Sequence, residues 1–218
     1  MPDPLHSLTQ LKKIQSEIQL CRACPKMIGP PVHGPAILSP IFLIGQAPGP
    51  HEGKLGRPFA YTAGKTLFRW FEEIYKVDET RFRENVYMAA VARCFPGKGK
   101  GSGDRVPDPF EIDQCETHLS LELKILRPKL ILAVGKLAIA QMLGSEIFDN
   151  NSRLVDVVGQ SFNRDFYGFV ADVIPLPHPS GLSAWYKVQP GRDLLAQALK
   201  LVGENKAWKA LFSPIRAS

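Results

Sequence analysis

Short apolar segments alternate with amphipathic ones along most of this chain. Four of the apolar segments are too short for helices, and runs of this kind are typical of buried β-strands. They occupy residues 41–44, 86–92, 130–134 and 170–176. A polar stretch over residues 151–169 predicts a small hairpin in addition.

Apolar residues at helical spacing predict helices between these strands. The predicted helices lie at residues 8–18 and 66–75, from Asp108 to before Pro128, from Gly135, and from about Gly191. Asp108 can cap its helix, Pro109 suits the first helical position, and Glu111 can bond back to the cap amide.

Strands that alternate with helices indicate an α/β fold, because helical crossovers connect parallel strands and cover both faces of the sheet. We therefore expect a three-layer α/β/α sandwich with a central, mainly parallel four-stranded sheet, formed by one domain over residues 1–218. In such sheets ligands bind at the carboxyl ends of the strands. The segments at three of these ends are 45–49, 135–136 and 178–180.

Charge and hydropathy restrict the class of protein. The chain has 27 Lys and Arg against 21 Asp and Glu, a net charge of +6, and this excess favours a polyanionic partner. No apolar run has the length of a membrane span, and no signal-peptide segment is recognisable at the start. We expect a cytoplasmic monomer without a membrane partner.

The four cysteines are the most specific chemical signal. Cys21 and Cys24 form a C-x-x-C pair, and Cys94 and Cys115 lie far downstream. Four thiolates at this spacing predict one tetrahedral metal or cluster site, and the spacing leaves zinc and an iron–sulfur cluster open. Two disulfides, or cysteines scattered through the core, are the alternatives.

Two strand-end segments carry further candidates. The loop from Gly45 through Gln46 and Ala47 to Gly49 has glycines that let a ligand approach the backbone, although an ordinary tight loop has the same composition. His178 stands between two prolines, which hold its backbone rigid.

Taken together and in order, these motifs resemble the uracil-DNA glycosylase superfamily, most closely its iron–sulfur branches, families four and five. The resemblance covers nearly the whole chain. It rests on CRAC (21–24), GQAPG (45–49), GRPF (56–59), RCFPG (93–97), Cys115, PKLILAVGKLA (128–138) and HPSGLS (178–183).

The resemblance implies a monofunctional glycosylase that flips uracil out of deaminated DNA and hydrolyses the N-glycosidic bond, leaving an abasic site. It implies a [4Fe–4S] cluster held by the four cysteines, with a structural role. The partner would be DNA that contains uracil or another deaminated base. No lysine of the matched motifs stands where a Schiff-base nucleophile is expected, so lyase activity is not predicted.

The resemblance also assigns roles to single residues. Phe59 matches the phenylalanine that stacks on the base, and His178 matches the histidine that faces the uracil oxygen. Leu182 would fill the space that the flipped nucleotide leaves. The phosphates would be held by Ser180, Lys136 and the backbone of Gly49 and Gly135.

The base pocket departs from the family pattern at three positions. Gln46 stands where family four usually has glutamate, Ala90 where many relatives have the asparagine that reads uracil, and Tyr61 where family four has glycine. Ala90 has no side-chain donor or acceptor to distinguish bases. Tyr61 either narrows the pocket or packs in the core. With Ala47 and Phe59, these residues form the predicted base site.

Two residues are candidates for activating the water. Glu52 matches a family-four acidic position and is preferred, while His51 matches a family-five histidine. The Ala90 departure leaves two alternative functions open. One is a glycosylase for hypoxanthine or xanthine, and the other is a DNA- or abasic-site-binding protein with little turnover.

Overall fold

The structure is a computed structural model that describes residues 3–101, 103–149, 151–181 and 183–212. The strands are β1 (Ile41–Gly45), β2 (Tyr87–Ala90), β3 (Leu130–Val134), β4 (Phe162–Phe166) and β5 (Phe169–Leu176). The α-helices are α1 (Pro4–Leu20), α2 (Glu52–Leu55), α3 (Thr62–Tyr75), α4 (Glu79–Asn85), α5 (Pro109–Leu126), α6 (Lys136–Leu143), α7 (Gly191–Glu204) and α8 (Lys206–Phe212).

The strands form one sheet in the order β2-β1-β3-β5-β4. Four strands are parallel, and β4 pairs with β5 in the antiparallel sense. The prediction of four strands was therefore wrong by one edge strand. In β4 half-buried and exposed residues alternate, and its polar centre (163–165) lacks the continuous apolar run that identifies a central strand.

The sheet is covered on both faces, which confirms the three-layer α/β/α architecture. Side chains at alternate positions of each strand point to opposite faces. Leu43 and Leu132 belong to the core shared with α3, α7 and α8. Phe42 and Ile131 belong to the core shared with α1, α5 and α6.

The predicted start of α5 is confirmed in atomic detail. The Asp108 carboxylate accepts from the Glu111 N–H at 3.0 Å, and the Glu111 carboxylate accepts from the Asp108 N–H at 2.8 Å. Pro109 is the first residue of the helix. This capping box satisfies two amides that have no intrahelical partner.

The described residues contain no helix with the length and hydropathy of a membrane span.

Candidate active site

The predicted segments follow the carboxyl ends of the parallel strands, so they lie together at one edge of the sheet, the edge formed by these strand ends. Gly45 is paired with Ala90 in the register of β1 and β2, and both end their strands. Val134 is paired with Leu176, so Gly135 and His178 leave neighbouring strands together. The chain thus brings residues from four separate segments to the edge where this fold binds ligands.

The ring of Phe59 lies directly on the end of β1. A Cβ placed on Gly45 would stand 2.8 Å from Cζ of Phe59, closer than carbon atoms approach one another. Glycine is therefore required there for this close approach. Phe59 itself has a positive φ of 51°, a conformation that non-glycine residues rarely adopt.

Glu52 holds the two loops that flank the site. Its Oε2 accepts from the Gly49 N–H at 2.6 Å, and its Oε1 accepts from the Ala60 N–H at 2.9 Å. Burial raises the pKa of Glu52, and the two backbone donors oppose that rise. His51, the second candidate, packs its ring against Tyr61 with centroids 4.1 Å apart, and both residues are exposed.

His178 lies beside Gly135 and is mostly buried. A Cβ on Gly135 would meet Cδ2 of His178 at 3.3 Å. The Ser180 N–H donates to Nδ1 of His178 at 3.3 Å, so Nδ1 is an acceptor and the proton belongs on Nε2. Burial lowers the pKa of His178, and the charge of Asp104 opposes that shift.

Asp104 was not predicted as a site residue. One carboxylate oxygen accepts from Lys98 at 2.7 Å, and the other lies 3.7 Å from the position of a Cβ on Gly49. This carboxylate therefore lies beside the Gly49 loop, and its charge raises the pKa of His178. The glycine- and lysine-rich composition of its loop gives no local signal of such a role, since only the folded chain brings Asp104 to the site.

Arg83 was also missed. Its guanidinium donates to the carbonyl oxygens of Pro58 and Phe59, each at 2.9 Å. In the sequence it is one charged residue of the polar segment 79–85, which was not identified as a helix.

The remaining residues of the predicted base site, Gln46, Ala47 and Ala90, lie at the carboxyl ends of β1 and β2. The amide of Gln46 donates to the Arg105 carbonyl at 3.4 Å, and the Arg105 guanidinium binds Glu111 through two bonds of 2.6 and 2.7 Å. Ala90 is buried and Ala47 is half-buried. The side chain of Gln46 is thus oriented from the loop before α5.

The predicted phosphate contacts are distributed around the same edge. Lys136 is exposed, and its Nζ lies 3.4 Å from the Ser152 carbonyl oxygen. Gly49 and Ser180 are half-buried, whereas Gly135 is buried beside His178. Leu182 lies outside the described residues.

The four cysteines line one cavity of about 260 Å³. All four are free thiols. Burial, reinforced by the nearby Cys115 and Cys21, raises the pKa of both Cys24 and Cys94 to about 11. Within the described ranges, no group of three or more His, Cys, Asp or Glu side chains is arranged closely enough for a single metal ion.

Arg93 and His118 line this cavity as well. Arg93 is buried and forms an ion pair with Glu122 through one Nη atom. Its Nε and Nη1, and Nδ1 of His118, are buried without a hydrogen-bond partner in the described part of the chain. Buried polar atoms of this kind normally have a hydrogen-bond partner.

The order of these segments matches a known family. The sequence profile of the "Uracil DNA glycosylase superfamily" matches residues 31–202. The chain belongs to this superfamily. The curated relatives named "Type-4 uracil-DNA glycosylase" include the following three.

The relative from Thermotoga maritima is 32% identical over 82% of this chain and 86% of its own. The relative from Sulfurisphaera tokodaii is 29% identical over 79% and 76%. The relative from Saccharolobus solfataricus is 27% identical over 94% and 90%. The predicted resemblance is confirmed. The names favour uracil excision over the hypoxanthine, xanthine and low-turnover alternatives.

Proposed function

We propose that this chain is a monofunctional glycosylase that excises uracil from DNA. The observation that carries the proposal is a neutral His178, with its proton on Nε2, at the same sheet edge as the Phe59 ring. This pairing supplies the two requirements of base excision. One is a flat apolar surface for a flipped base, and the other is a donor for the charge that its departure creates.

The base would stack on Phe59, whose ring the Gly45 backbone supports. Gln46 and Ala47 follow this support on the loop, and Ala90 closes the neighbouring strand end. Tyr61 lies at the exposed side against His51, where its ring can limit the width of the entrance. Apolar walls with few polar groups make shape the main determinant of base choice.

His178 would act on the leaving group. Cleavage of the N-glycosidic bond leaves negative charge on the base, and a donor aimed at that charge stabilises the transition state by about 3–4 kcal/mol. A neutral imidazole with Nε2–H suits this role, because Ser180 occupies Nδ1. The low pKa keeps the ring neutral near pH 7.

The attacking water needs a carboxylate on the sugar side of the bond. Glu52 remains the predicted residue, but both of its oxygens already accept backbone N–H groups. Asp104 is the better candidate of the two, since Lys98 binds its Oδ1 while its Oδ2 faces the Gly49 loop. We infer that Asp104 orients the water and that Glu52 holds the loops.

DNA contacts would come from Lys136, Ser180 and the backbone of Gly49 and Gly135, with Leu182 as the wedge. Phosphate contacts of this kind position the duplex without reading its sequence. The strand-end location of Lys136 and the net positive charge support this assignment. We infer that the active species is a cytoplasmic monomer.

The cysteine site fits an iron–sulfur cluster. Four thiols around a cavity of about 260 Å³ suit a group larger than one zinc ion. The unpaired Nε–H and Nη1–H donors of Arg93 suit a group with acceptor sulfurs and negative charge. We infer that Cys21, Cys24, Cys94 and Cys115 would hold a [4Fe–4S] cluster, which would tie the N-terminal segment to α5 and to the segment after β2.

The test is a release assay on duplexes containing uracil, hypoxanthine, xanthine or an abasic site. Uracil is the expected substrate, and His178→Ala should lose about 10²–10³-fold in single-turnover rate. Its affinity for the same DNA should hardly change, because the lost interaction forms only in the transition state. Release at the parent rate by this variant would contradict the mechanism.

A further inference from the structure

The peptide unit between Phe59 and Ala60 is held at both of its ends. Its carbonyl oxygen accepts from Nη2 of Arg83 at 2.9 Å, and its N–H donates to Oε1 of Glu52 at 2.9 Å. Nη1 of Arg83 also binds the carbonyl of Pro58 at 2.9 Å. Three backbone groups around the aromatic residue, the carbonyls of Pro58 and Phe59 and the N–H of Ala60, are therefore fixed by two side chains.

Phe59 needs this restraint, because its backbone conformation is unfavourable. Its φ of 51° persists only where the surroundings hold it. A Cβ on Gly64 would overlap the Phe59 carbonyl, so glycine is needed there to let α3 approach. Release of the carbonyl would allow Phe59 to relax to a negative φ and carry its ring away from Gly45.

Arg83 is itself well anchored. Its Nε donates to Oε1 of Glu79 at 2.8 Å, one turn earlier on α4, and its guanidinium lies 4.6 Å from the centroid of the Phe68 ring. Its side chain is only 12% exposed. A planar guanidinium can bind a carboxylate and two carbonyls at once, which an ammonium group cannot do with the same geometry.

We propose that Arg83 is a positioning residue for base excision, which acts by holding Phe59 in the conformation that stacks on the flipped base. This inference rests on the proposed function. Arg83 touches neither the base nor the DNA, and it acts only through the Pro58 and Phe59 carbonyls.

The surroundings of Arg83 permit a chemical test. The residue lines an open groove of about 630 Å³, together with Arg57, Glu79 and Thr80. A small cation can therefore diffuse into the space that Arg83→Ala creates. Methylguanidinium has the donors needed for both carbonyls, whereas methylammonium has the charge without the planar fork.

The experiment measures the single-turnover rate of uracil release by Arg83→Ala. We expect a loss of about 10²-fold, the size of effect that follows misplacement of a reacting group by about 1 Å, with DNA affinity unchanged. Methylguanidinium should restore much of the rate, and methylammonium at the same ionic strength should not. Arg83→Lys should lie between parent and Arg83→Ala. Arg81→Ala, on the exposed side of the same helix, is the matched control.

A second readout does not depend on catalysis. In protein labelled with fluorophenylalanine, the Phe59 ¹⁹F resonance is identified by its absence in Phe59→Leu. It should shift in Arg83→Ala and return with methylguanidinium. The inference would be overturned if the Phe59 resonance did not change in Arg83→Ala. It would also be overturned if the rate loss were accompanied by lower thermal stability and by no other change. If the parent released no uracil but the resonance behaved as expected, the proposed function would be wrong. The role of Arg83 in holding the conformation of Phe59 would still be supported.

Discussion

The backbone N–H of Ser180 donates to Nδ1 of His178 at 3.3 Å. This bond places the imidazole proton on Nε2, which is the tautomer that can donate to a leaving base. The two residues belong to one short loop after β5, so the tautomer of His178 is fixed by a neighbouring backbone group and not by a residue distant in sequence. Protonation of Nδ1 would remove this bond.

The burial of His178 predicts how stability depends on pH. Burial lowers the pKa of folded His178 below its ordinary value of 6.5, so the unfolded chain takes up a proton first as the pH falls. The contribution of His178 to the free energy of unfolding is therefore complete above pH 6.5 and is lost as the pH falls through the folded pKa. Urea unfolding between about pH 5 and pH 8 checks this. His178→Gln should show a weaker pH dependence than the parent, and equal slopes would contradict the prediction.

Asp104→Asn and Glu52→Gln should fail in different ways. Asp104→Asn keeps the loop but loses the charge that orients water, so its single-turnover rate should fall about 10²-fold or more while DNA affinity remains. Glu52→Gln presents an amide where two backbone N–H groups need acceptors, so it should also lower the melting temperature. A parent-like rate for Asp104→Asn would return the catalytic role to Glu52.

DNA binding should weaken as salt rises, because phosphate contacts release counterions. Lys136→Gln should reduce the slope of log K against log salt by about 1. Lys129→Gln is the matched control. Lys129 precedes β3 and Lys136 follows it, so the two lysines lie at opposite ends of this strand and only Lys136 lies at the proposed DNA-binding end. Equal slopes for the two variants would remove Lys136 from the DNA contact.

Ala90→Asn should increase selectivity for uracil over hypoxanthine. Ala90 is 7% exposed and paired with Gly45 at the strand end. An asparagine amide buried there would lack a hydrogen-bond partner unless the bound base supplied one, and this cost would penalise bases that cannot. The measurement is the ratio of single-turnover rates on the two substrates. An unchanged ratio in a folded variant would show that position 90 does not face the base.

The cysteine site should hold iron in protein purified without oxygen. Arg93→Met should lose iron to a chelator faster than the parent, because two donors suited to the cluster sulfurs are removed. Glu122→Gln breaks the same buried ion pair but keeps those donors, so it should retain iron better than Arg93→Met. Zinc without iron would contradict the cluster, and equal iron loss in both variants would assign the effect to the ion pair.

The sequence by itself determined the features that depend on local pattern. Continuous apolar runs identified the four parallel strands, and Asp108, Pro109 and Glu111 identified the start of α5, because each signal is complete within a few residues. The motifs around Phe59 and His178 identified the family for the same reason. The edge strand β4 was predicted only as part of a hairpin over residues 151–169 and not as a strand of the sheet, because it lacks the continuous apolar run of a central strand.

Only the tertiary structure decided which charged side chains serve the site. Arg83 is 24 residues from the Phe59 carbonyl that it binds, and Asp104 reaches the Gly49 loop from a segment without apolar periodicity. The bonds of Glu52 likewise depend on how two loops fold back on α2. A charged residue at the surface and one that holds a loop look alike in sequence, because the difference lies in the distance and burial that folding produces.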